Sequence, residues 1–350
     1  MKRNAIVTLY GEFNYGNRLQ NYAITKCFAR WNEEATTIVK KGPSTLKQQI
    51  KKQVKYFVVK TFKSFAKKQY PDTLREVNFK KFTKSHIPTT FYKGCISSQS
   101  QKYDRFIVGS DQVWNPCFDQ YEDLYDQMFL IGIPQNKKSC FAPSFGVSLI
   151  PDEWTQRFSD GLNTFPKLCA RESAGADIIN ELTKKSAPVM IDPTLMLDKK
   201  DWTAVSKKVC NLPDKFVLDY FLGDTPDTDS YHSVLSNKYG TQRIRLLDPA
   251  NPDIYVSGPA EFIYLISKAS LVCTDSFHAC VFSIIFDKPF AIFKREGKEK
   301  DMSSRLQTLL ALFGIDIKTL NSGDVVQIDH TLRDEVLSKK REEVYNFFNK

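Results

Sequence analysis

The chain has 350 residues, of which 42% are hydrophobic, so it exceeds the usual size of a single core and two domains are expected. Its formal net charge is +10, from 50 basic and 40 acidic residues. No run of eighteen apolar residues occurs, which excludes an ordinary membrane-spanning helix. The first apolar run, Ala5 to Leu9, is too short for a secretory signal, and we therefore expect a cytoplasmic protein.

Strand-like runs alternate with helical patterns along the whole chain, which predicts an α/β protein with two doubly wound domains. Predicted strands lie at 6–9, 106–108, 139–142, 189–191, 216–222, 243–247, 271–273 and 290–293. Predicted helices lie at 18–28, 175–182, 261–269, 277–286, 304–313 and 335–348. Proline and charge interrupt the pattern between Asp192 and Trp202, so we place the domains at 1–195 and 196–350. The last helix is expected to pack back across a domain.

The first predicted strand leads into a glycine-containing turn that opens a helix. Gly16 and Asn17 lie where the backbone could approach a ligand closely. The turn lacks the GxGxxG pattern, and no acidic residue follows at the distance that a dinucleotide ribose needs, so no nicotinamide or flavin cofactor is predicted. The eight cysteines include no CxxC pair, and no metal site is predicted.

The stretch from Lys40 to Lys84 holds fourteen basic and two acidic residues, a net charge of +12, so the rest of the chain is close to neutral. Apolar residues recur between the lysines at helical spacing, which predicts a basic helical insert at about 40–84. Two interpretations stay open. We favour an apolar face that packs on its own domain; the alternative is a peripheral contact with the inner membrane face. Nucleic acid is a weaker third option, because no recognition motif for it occurs, and it is not a predicted partner.

Another polar turn follows the strand predicted at 106–108. Asp111, Gln112 and Asn115 could hydrogen-bond the hydroxyl groups of a sugar, and Trp114 could stack against its ring. The equally weighted alternative is a structural turn in which Asp111 caps backbone amides and Trp114 belongs to the core.

Arg171 follows another strand-like run, and an arginine there can hold a carboxylate or a phosphate through two parallel hydrogen bonds. Arg295, Lys298 and Arg305 lie beyond the last predicted strand of the second domain. Together they could form a basic rim around a multiply charged anion, although solvated surface charges are the commoner explanation for each.

His278, one of only four histidines, lies where the predicted strand 271–273 gives way to a helix. Thr274, Asp275 and Ser276 are N-cap residue types, and the apolar residues after them recur at helical spacing. Open α/β sheets bind ligands at the carboxyl ends of their strands, where helix N-termini attract anions. An anionic ligand beside His278 is the first hypothesis, and a structural histidine is the alternative.

Five segments taken in order resemble the polysaccharide pyruvyl transferase family. They are Asn14 to Ala23, Phe106 to Pro116, Ala170 to Ser173, Asp192 to Thr194 and Thr274 to His278. The resemblance spans about residue 5 to residue 313. It implies two Rossmann-like domains that face a cleft, as in the B-type fold of glycosyltransferases. It also implies transfer of pyruvate from phosphoenolpyruvate to a hydroxyl pair of a saccharide, with no cofactor.

The same resemblance implies roles for individual residues. His278 matches the general acid or base, and Arg171 matches an arginine that binds the donor. On the second domain, the predicted donor-binding residues are Ser276, Phe277, Arg295, Lys298 and Arg305. On the first domain, the predicted acceptor or cleft residues are Gly16, Asn17, Asp111, Gln112 and Trp114. The expected acceptor is a lipid- or nucleotide-linked saccharide for a surface or capsular polysaccharide.

One position departs from the family pattern, because Ala279 follows the histidine where glycine is usual. We expect its methyl group to narrow the approach of a phosphate.

Two alternative functions stay open. One is a glycosyltransferase that uses a nucleotide sugar, with His278 and Arg295 holding the diphosphate; the other is a saccharide-binding protein without turnover.

Overall fold

A computed structural model describes residues 1–11, 13–42, 46–118, 121–224, 226, 231, 239–240, 242–294 and 303–349. Two five-stranded sheets with helices around them account for most of this part of the chain. The strands are β1 Arg3–Val7, β2 Glu34–Lys40, β3 Thr89–Tyr92, β4 Arg105–Val108, β5 Lys138–Cys140, β6 Val217–Tyr220, β7 Arg243–Arg245, β8 Leu271–Thr274, β9 Phe290–Ile292 and β10 Val325–Val326.

Most of the described connections between strands contain α-helices. The α-helices are α1 Tyr15–Arg30, α2 Leu46–Thr61, α3 Lys63–Gln69, α4 Pro71–His86, α5 Tyr121–Met128, α6 Asp152–Asn163, α7 Ser173–Thr183, α8 Lys199–Val205, α9 Pro252–Tyr255, α10 Pro259–Lys268, α11 Phe277–Ile285, α12 Ser303–Ala311 and α13 His330–Asn349. Among the described residues, no helix is both long enough and apolar enough to cross a bilayer.

The first lobe is built on an all-parallel sheet with the strand order β3-β2-β1-β4-β5. This is the order of the first five strands of a Rossmann fold. The central strand β1 is buried at four of its five positions because helices cover both faces of a parallel sheet. In register, Ile6 of β1 lies beside Ile107 of β4.

The second lobe is built on a sheet with the order β10-β9-β8-β6-β7, in which only β10 is antiparallel to its neighbour. Numbered within the lobe, this order is 2-1-3-4-5, the flavodoxin-like variant of the doubly wound fold. The prediction of an α/β protein with two doubly wound sheets is confirmed. The predicted strand at 189–191 is wrong: Val189 forms only an isolated bridge with Ala170, and a 3-10 helix follows at Pro193–Met196.

Each sheet has a switch point where the strand order reverses, and open α/β sheets bind ligands there. In the first lobe the switch lies between β1 and β4, and α1 begins directly after β1. In the second lobe it lies between β6 and β8, and α11 begins directly after β8. The N-terminal turns of α1 and α11 meet across the two lobes, since Gly16 lies against the ring of His278.

Two further elements join the lobes. Helix α13 returns from the second lobe to the first, where the ring centroid of Phe348 lies 5.4 Å from that of Phe28 and 5.1 Å from that of Phe141. The helices α2 to α4 contact the second lobe: Val59, Ala66 and Leu74 form one buried cluster with Val256.

Candidate active site

His278 lies in the first turn of α11, at the switch point of the second sheet. Its side chain retains 10% of its exposed surface, and Nε2 is completely enclosed. Nε2 lies 3.6 Å from Oδ2 of Asp192, a residue of the segment that joins the lobes. The opposite ring nitrogen, Nδ1, faces Gly16 of the first lobe. The ring is therefore held between a carboxylate on one side and the start of α1 on the other.

The Asp192 carboxylate is completely buried and fully engaged. Its Oδ1 accepts hydrogen bonds from the Thr194 amide at 2.9 Å and the Thr194 hydroxyl at 2.7 Å, and its Oδ2 accepts one from Arg171 Nη1 at 2.7 Å. Burial acts to raise the pKa of Asp192, but His278, Arg171 and Thr194 outweigh it and hold that pKa well below its usual range. Asp192 is therefore a carboxylate at every pH near neutrality.

Arg171 is enclosed, with 2% of its side chain exposed. Besides Asp192, its guanidinium faces Asp111, with Nη2 at 3.7 Å from Oδ1, and Glu172, with Nε at 3.8 Å from Oε2. Burial acts to lower the pKa of Arg171, and these three carboxylates more than reverse that effect. The sequence predicts that Arg171 binds the donor directly, but in the structure its guanidinium is buried among these carboxylates and is not accessible to a donor. What it does contact is the Asp192 carboxylate beside His278.

Gly16 is the point of closest contact between the lobes. A Cβ atom built on Gly16 would lie 1.9 Å from His278 Nδ1, so only glycine fits there. The Asn14 side chain caps α1 by accepting from the Asn17 amide at 3.0 Å. The Asn17 side chain in turn donates to Asp111 Oδ2 at 3.5 Å. Gly16, Asn17, Asp111, Arg171 and His278, which are far apart in sequence, are thus brought together.

Trp114 does not belong to this group. Its ring has no exposed surface, and its Nε1 donates to the backbone oxygen of Met128 at 3.0 Å. It stacks on Phe129 with a centroid separation of 5.9 Å and an interplanar angle of 8°. Stacking of Trp114 on a sugar is therefore wrong, and the alternative of a core tryptophan holds. Gln112 is only partly exposed and accepts from the Asn115 side chain at 2.8 Å.

The predicted donor-binding residues of the second lobe fall into two groups. Ser276, Phe277 and Arg305 are buried, with 3%, 4% and 5% exposure, and the Phe277 ring lies 4.5 Å from the guanidinium carbon of Arg171. Arg305 and Phe277 line a cavity of about 20 Å³ next to Arg171, which is room for about one water molecule. Arg295 and Lys298 lie outside the described residues.

Two observations refine the start of α11. Ala279 has no exposed surface and belongs to the hydrophobic core, and the expected narrowing of the phosphate approach stays a prediction. Asp275 accepts hydrogen bonds from the amides of Leu222 and Gly223, both at 2.8 Å, and so ties the loop after β6 to this turn.

Within the described ranges, no group of three His, Cys, Asp or Glu residues is placed to hold a metal ion.

Sequence reasoning assigned no role to two residues that the geometry singles out. Asp192 lies in a recognised motif, but only folding brings its carboxylate to His278 and Arg171. Glu172 is completely buried beside Arg171, and its Oε1 accepts from the Ser144 hydroxyl and the Phe145 amide, both at 2.9 Å. For both Asp192 and Glu172, the feature in the sequence that could have indicated a role is an acidic residue close to a strand-like run.

Several solved structures resemble this one at low identity. An uncharacterised protein from Klebsiella pneumoniae is 13% identical with a TM-score of 0.47, and the match covers 91% of this chain and 92% of that one. HepE from Anabaena, in complex with UDP and glucose, is 11% identical with a TM-score of 0.46 and 99% coverage of both chains. UDP-GlcNAc 2-epimerase from Neisseria meningitidis, bound to UDP-GlcNAc, is 11% identical with a TM-score of 0.44, covering 99% and 93%.

No curated protein sequence matches the chain. The family model described as polysaccharide pyruvyl transferase matches residues 14–296. This range contains the start of α1, the Arg171 segment, Asp192 and His278. That match covers far more than half of the 350 residues. The chain therefore belongs to the polysaccharide pyruvyl transferase family.

Proposed function

We propose that this protein transfers pyruvate from phosphoenolpyruvate to two hydroxyl groups of one saccharide, with His278 as the general acid and base. The family match supports pyruvate transfer to a polysaccharide in general. The observation that carries the finer proposal is the position of His278, at the contact between two switch points and 3.6 Å from a buried carboxylate. The coproduct is inorganic phosphate.

In the proposed reaction, protonated His278 gives its proton to the methylene carbon of phosphoenolpyruvate, which becomes a methyl group. The central carbon turns electron-poor, and the first saccharide hydroxyl forms a C–O bond to it and passes its proton to His278. The C–O bond to phosphate then breaks, and the second hydroxyl closes the ketal. Its proton leaves with the phosphate, so atoms and charges balance without an oxidant or reductant.

Asp192 acts in this proposal through His278 and not on the substrate. Its fixed negative charge beside Nε2 favours the ring orientation in which Nδ1 faces the first lobe. Arg171 and Thr194 hold the carboxylate in place, since both donate to it. Arg171, Asp192 and Thr194 are therefore positioning residues. The first-turn amides of α11 lack helical partners and are suited to hold the departing phosphate.

The test is phosphate release and product mass after incubation with phosphoenolpyruvate and a panel of lipid- and nucleotide-linked hexoses. We expect a product heavier by one pyruvate ketal and one equivalent of phosphate. His278→Gln should lower turnover at least about 100-fold, because general acid–base assistance is worth roughly 10²- to 10⁴-fold. His330→Gln is the matched control, since His330 is exposed on α13.

Asp192→Asn tests the positioning role. It should lower turnover alone but add nothing in the His278→Gln background, because it acts through the same ring. Near-normal turnover of His278→Gln would reject the assignment of the acid. Release of a nucleotide from sugar nucleotides, without consumption of phosphoenolpyruvate, would replace the proposal with a glycosyltransferase. Saccharide binding without any product would replace it with a binding protein.

A further inference from the structure

The outer face of α2 and α3 carries large apolar side chains that lie in solvent. The exposed fractions are 59% for Val54, 69% for Phe57, 59% for Phe62 and 53% for Phe65. Val54 and Phe57 are three residues apart and therefore share one side of α2. Phe62 is the N-cap residue of α3, and Phe65 lies in the first turn of that helix. We call these four residues the apolar ridge.

The opposite side of the same helices is occupied. Val59 and Ala66 have no exposed surface and pack in a cluster with Leu74 and Val256. Lys67 forms an ion pair with Asp253 of the second lobe. The favoured expectation, that the apolar face of the insert packs on its own domain, is therefore wrong for the ridge. These contacts fix which side of the insert faces solvent.

The charge around the ridge has one sign. Residues 46–70 contain eight lysines and no acidic residue. Lys51, Lys55, Lys60, Lys63 and Lys68 are exposed. Helices that lie in a membrane interface combine aromatic or leucine side chains on one face with lysines beside them, and the lysines attract anionic headgroups.

We propose that the apolar ridge and its flanking lysines bind the surface of a bilayer that contains anionic lipids. The phenylalanines would enter the boundary between headgroups and acyl chains, and the lysines would contact lipid phosphates. Charge complementarity selects this occupant. A second copy of the chain is disfavoured, because a two-fold contact through this face would bring two lysine-rich surfaces together.

The ridge is physically connected to the candidate active site. On the inner side of the insert, Arg75 of α4 donates through Nη2 to the backbone oxygen of Phe13 at 3.0 Å, and its guanidinium lies 5.2 Å from the ring of Tyr15. Tyr15 is the residue before Gly16 at the start of α1. If the proposed function holds, a membrane contact here would bring the first-lobe side of the cleft towards a lipid-linked acceptor; the membrane contact itself does not depend on that function.

The test is co-sedimentation of the full chain, without substrates, with phosphatidylcholine vesicles that contain or lack phosphatidylglycerol. We expect binding to the anionic vesicles that weakens as salt rises. The triple variant Lys51→Gln, Lys55→Gln, Lys63→Gln should bind roughly 100-fold more weakly, since about 1 kcal/mol per lysine is typical. Phe57→Ser with Phe65→Ser should bind at least about tenfold more weakly.

Control variants carry changes of the same kind on other surfaces. Leu149, which is 74% exposed, gives the apolar control Leu149→Ser, and the exposed residues Lys167, Lys208 and Lys339 give the charge control as a triple change to Gln. Both should bind vesicles like the unchanged protein, and circular dichroism confirms that every variant is folded. Phosphate release with a water-soluble acceptor should be unaffected in the ridge variants, which separates this proposal from the catalytic one.

Three results would overturn the membrane proposal. One is the absence of binding to anionic vesicles, and another is equal loss in the control variants. The third is a dimer in light scattering that the Phe57→Ser, Phe65→Ser variant abolishes without any vesicle binding, which would assign the ridge to a second copy.

Discussion

Gly16 has no room for a methyl group. A substitution there therefore tests directly whether the close contact between the two lobes matters for the reaction. We expect Gly16→Ala to push the His278 ring off its position, because the added Cβ would stand 1.9 Å from Nδ1. Turnover should fall at least about tenfold, since small displacements of a reacting group are costly. The measurement is steady-state phosphate release together with thermal unfolding.

Gly11→Ala is the matched control, in the loop that precedes α1. A Cβ at Gly11 meets no atom within 4 Å, and its backbone conformation is not left-handed. This variant should keep both turnover and stability. Equal activity of the two variants would show that the close contact between Gly16 and His278 has no bearing on the reaction.

At the residue scale, local patterns predicted the His278 turn but not its surroundings. N-cap residue types and helical spacing are local signals, and α11 begins within the predicted turn. Whether a guanidinium faces solvent or carboxylates depends on packing, and Arg171 meets Asp111 and Asp192, which are distant in sequence, besides its neighbour Glu172. Trp114 likewise lies in a polar turn, yet its ring points inward onto Phe129.

At the element scale, the central strands were the most predictable. The predicted strands 106–108 and 271–273 agree with β4 and β8 to within one residue, because buried parallel strands are continuous apolar runs. The interior strand β2 was not predicted. The edge strand β3 is half-exposed and was not predicted either, and the edge strand β10 has only two residues. Short edge strands contain few apolar residues, so whether they form depends on pairing with a neighbouring strand and not on a local sequence pattern.

Strand β5 carries a buried lysine whose proton should affect stability. Lys138 is 5% exposed, and its ammonium donates to the Phe129 oxygen at 2.9 Å and the Thr164 hydroxyl at 2.8 Å. Burial lowers the pKa of Lys138 to about 8. The unfolded chain keeps a lysine pKa of about 10.4, so between these values the unfolded state binds more protons and the free energy of unfolding contributed by Lys138 rises with pH.

We therefore predict that, from about pH 7.5 to about pH 9.5, the unchanged protein gains roughly 2 kcal/mol of stability relative to Lys138→Met. Urea unfolding of both proteins across this range measures the difference. Comparison with the variant cancels the contributions of all other titrating groups. Parallel pH profiles for the two proteins would mean that Lys138 is not desolvated in the folded state.

At the scale of the whole molecule, the two lobes are held together by more than their linker. Tyr15 of the first lobe stacks on Phe262 of α10 with a centroid separation of 4.6 Å, and its hydroxyl donates to the Ser257 oxygen at 2.9 Å. The insert and α13 add contacts at other points of the boundary. Composition and length predict two domains, but they do not predict these contacts, which pair residues more than 180 positions apart in sequence.

Helix α13 provides the test of that coupling. Its residue Phe348 packs against Phe28 and Phe141, and Arg341 in the same helix donates to the backbone oxygen of Leu195 at 2.7 Å. Phe348→Ala should cost about 2 to 4 kcal/mol and lower the melting temperature by several degrees, because it leaves a cavity between α13 and the first lobe. Tyr345→Ala is the control on the same helix, since Tyr345 is 46% exposed and should cost less than about 1 kcal/mol. Calorimetry should show a single unfolding transition, and Phe348→Ala should shift that transition to a lower temperature. Two separate transitions in the unchanged protein would mean that the lobes unfold independently and that α13 does not couple them.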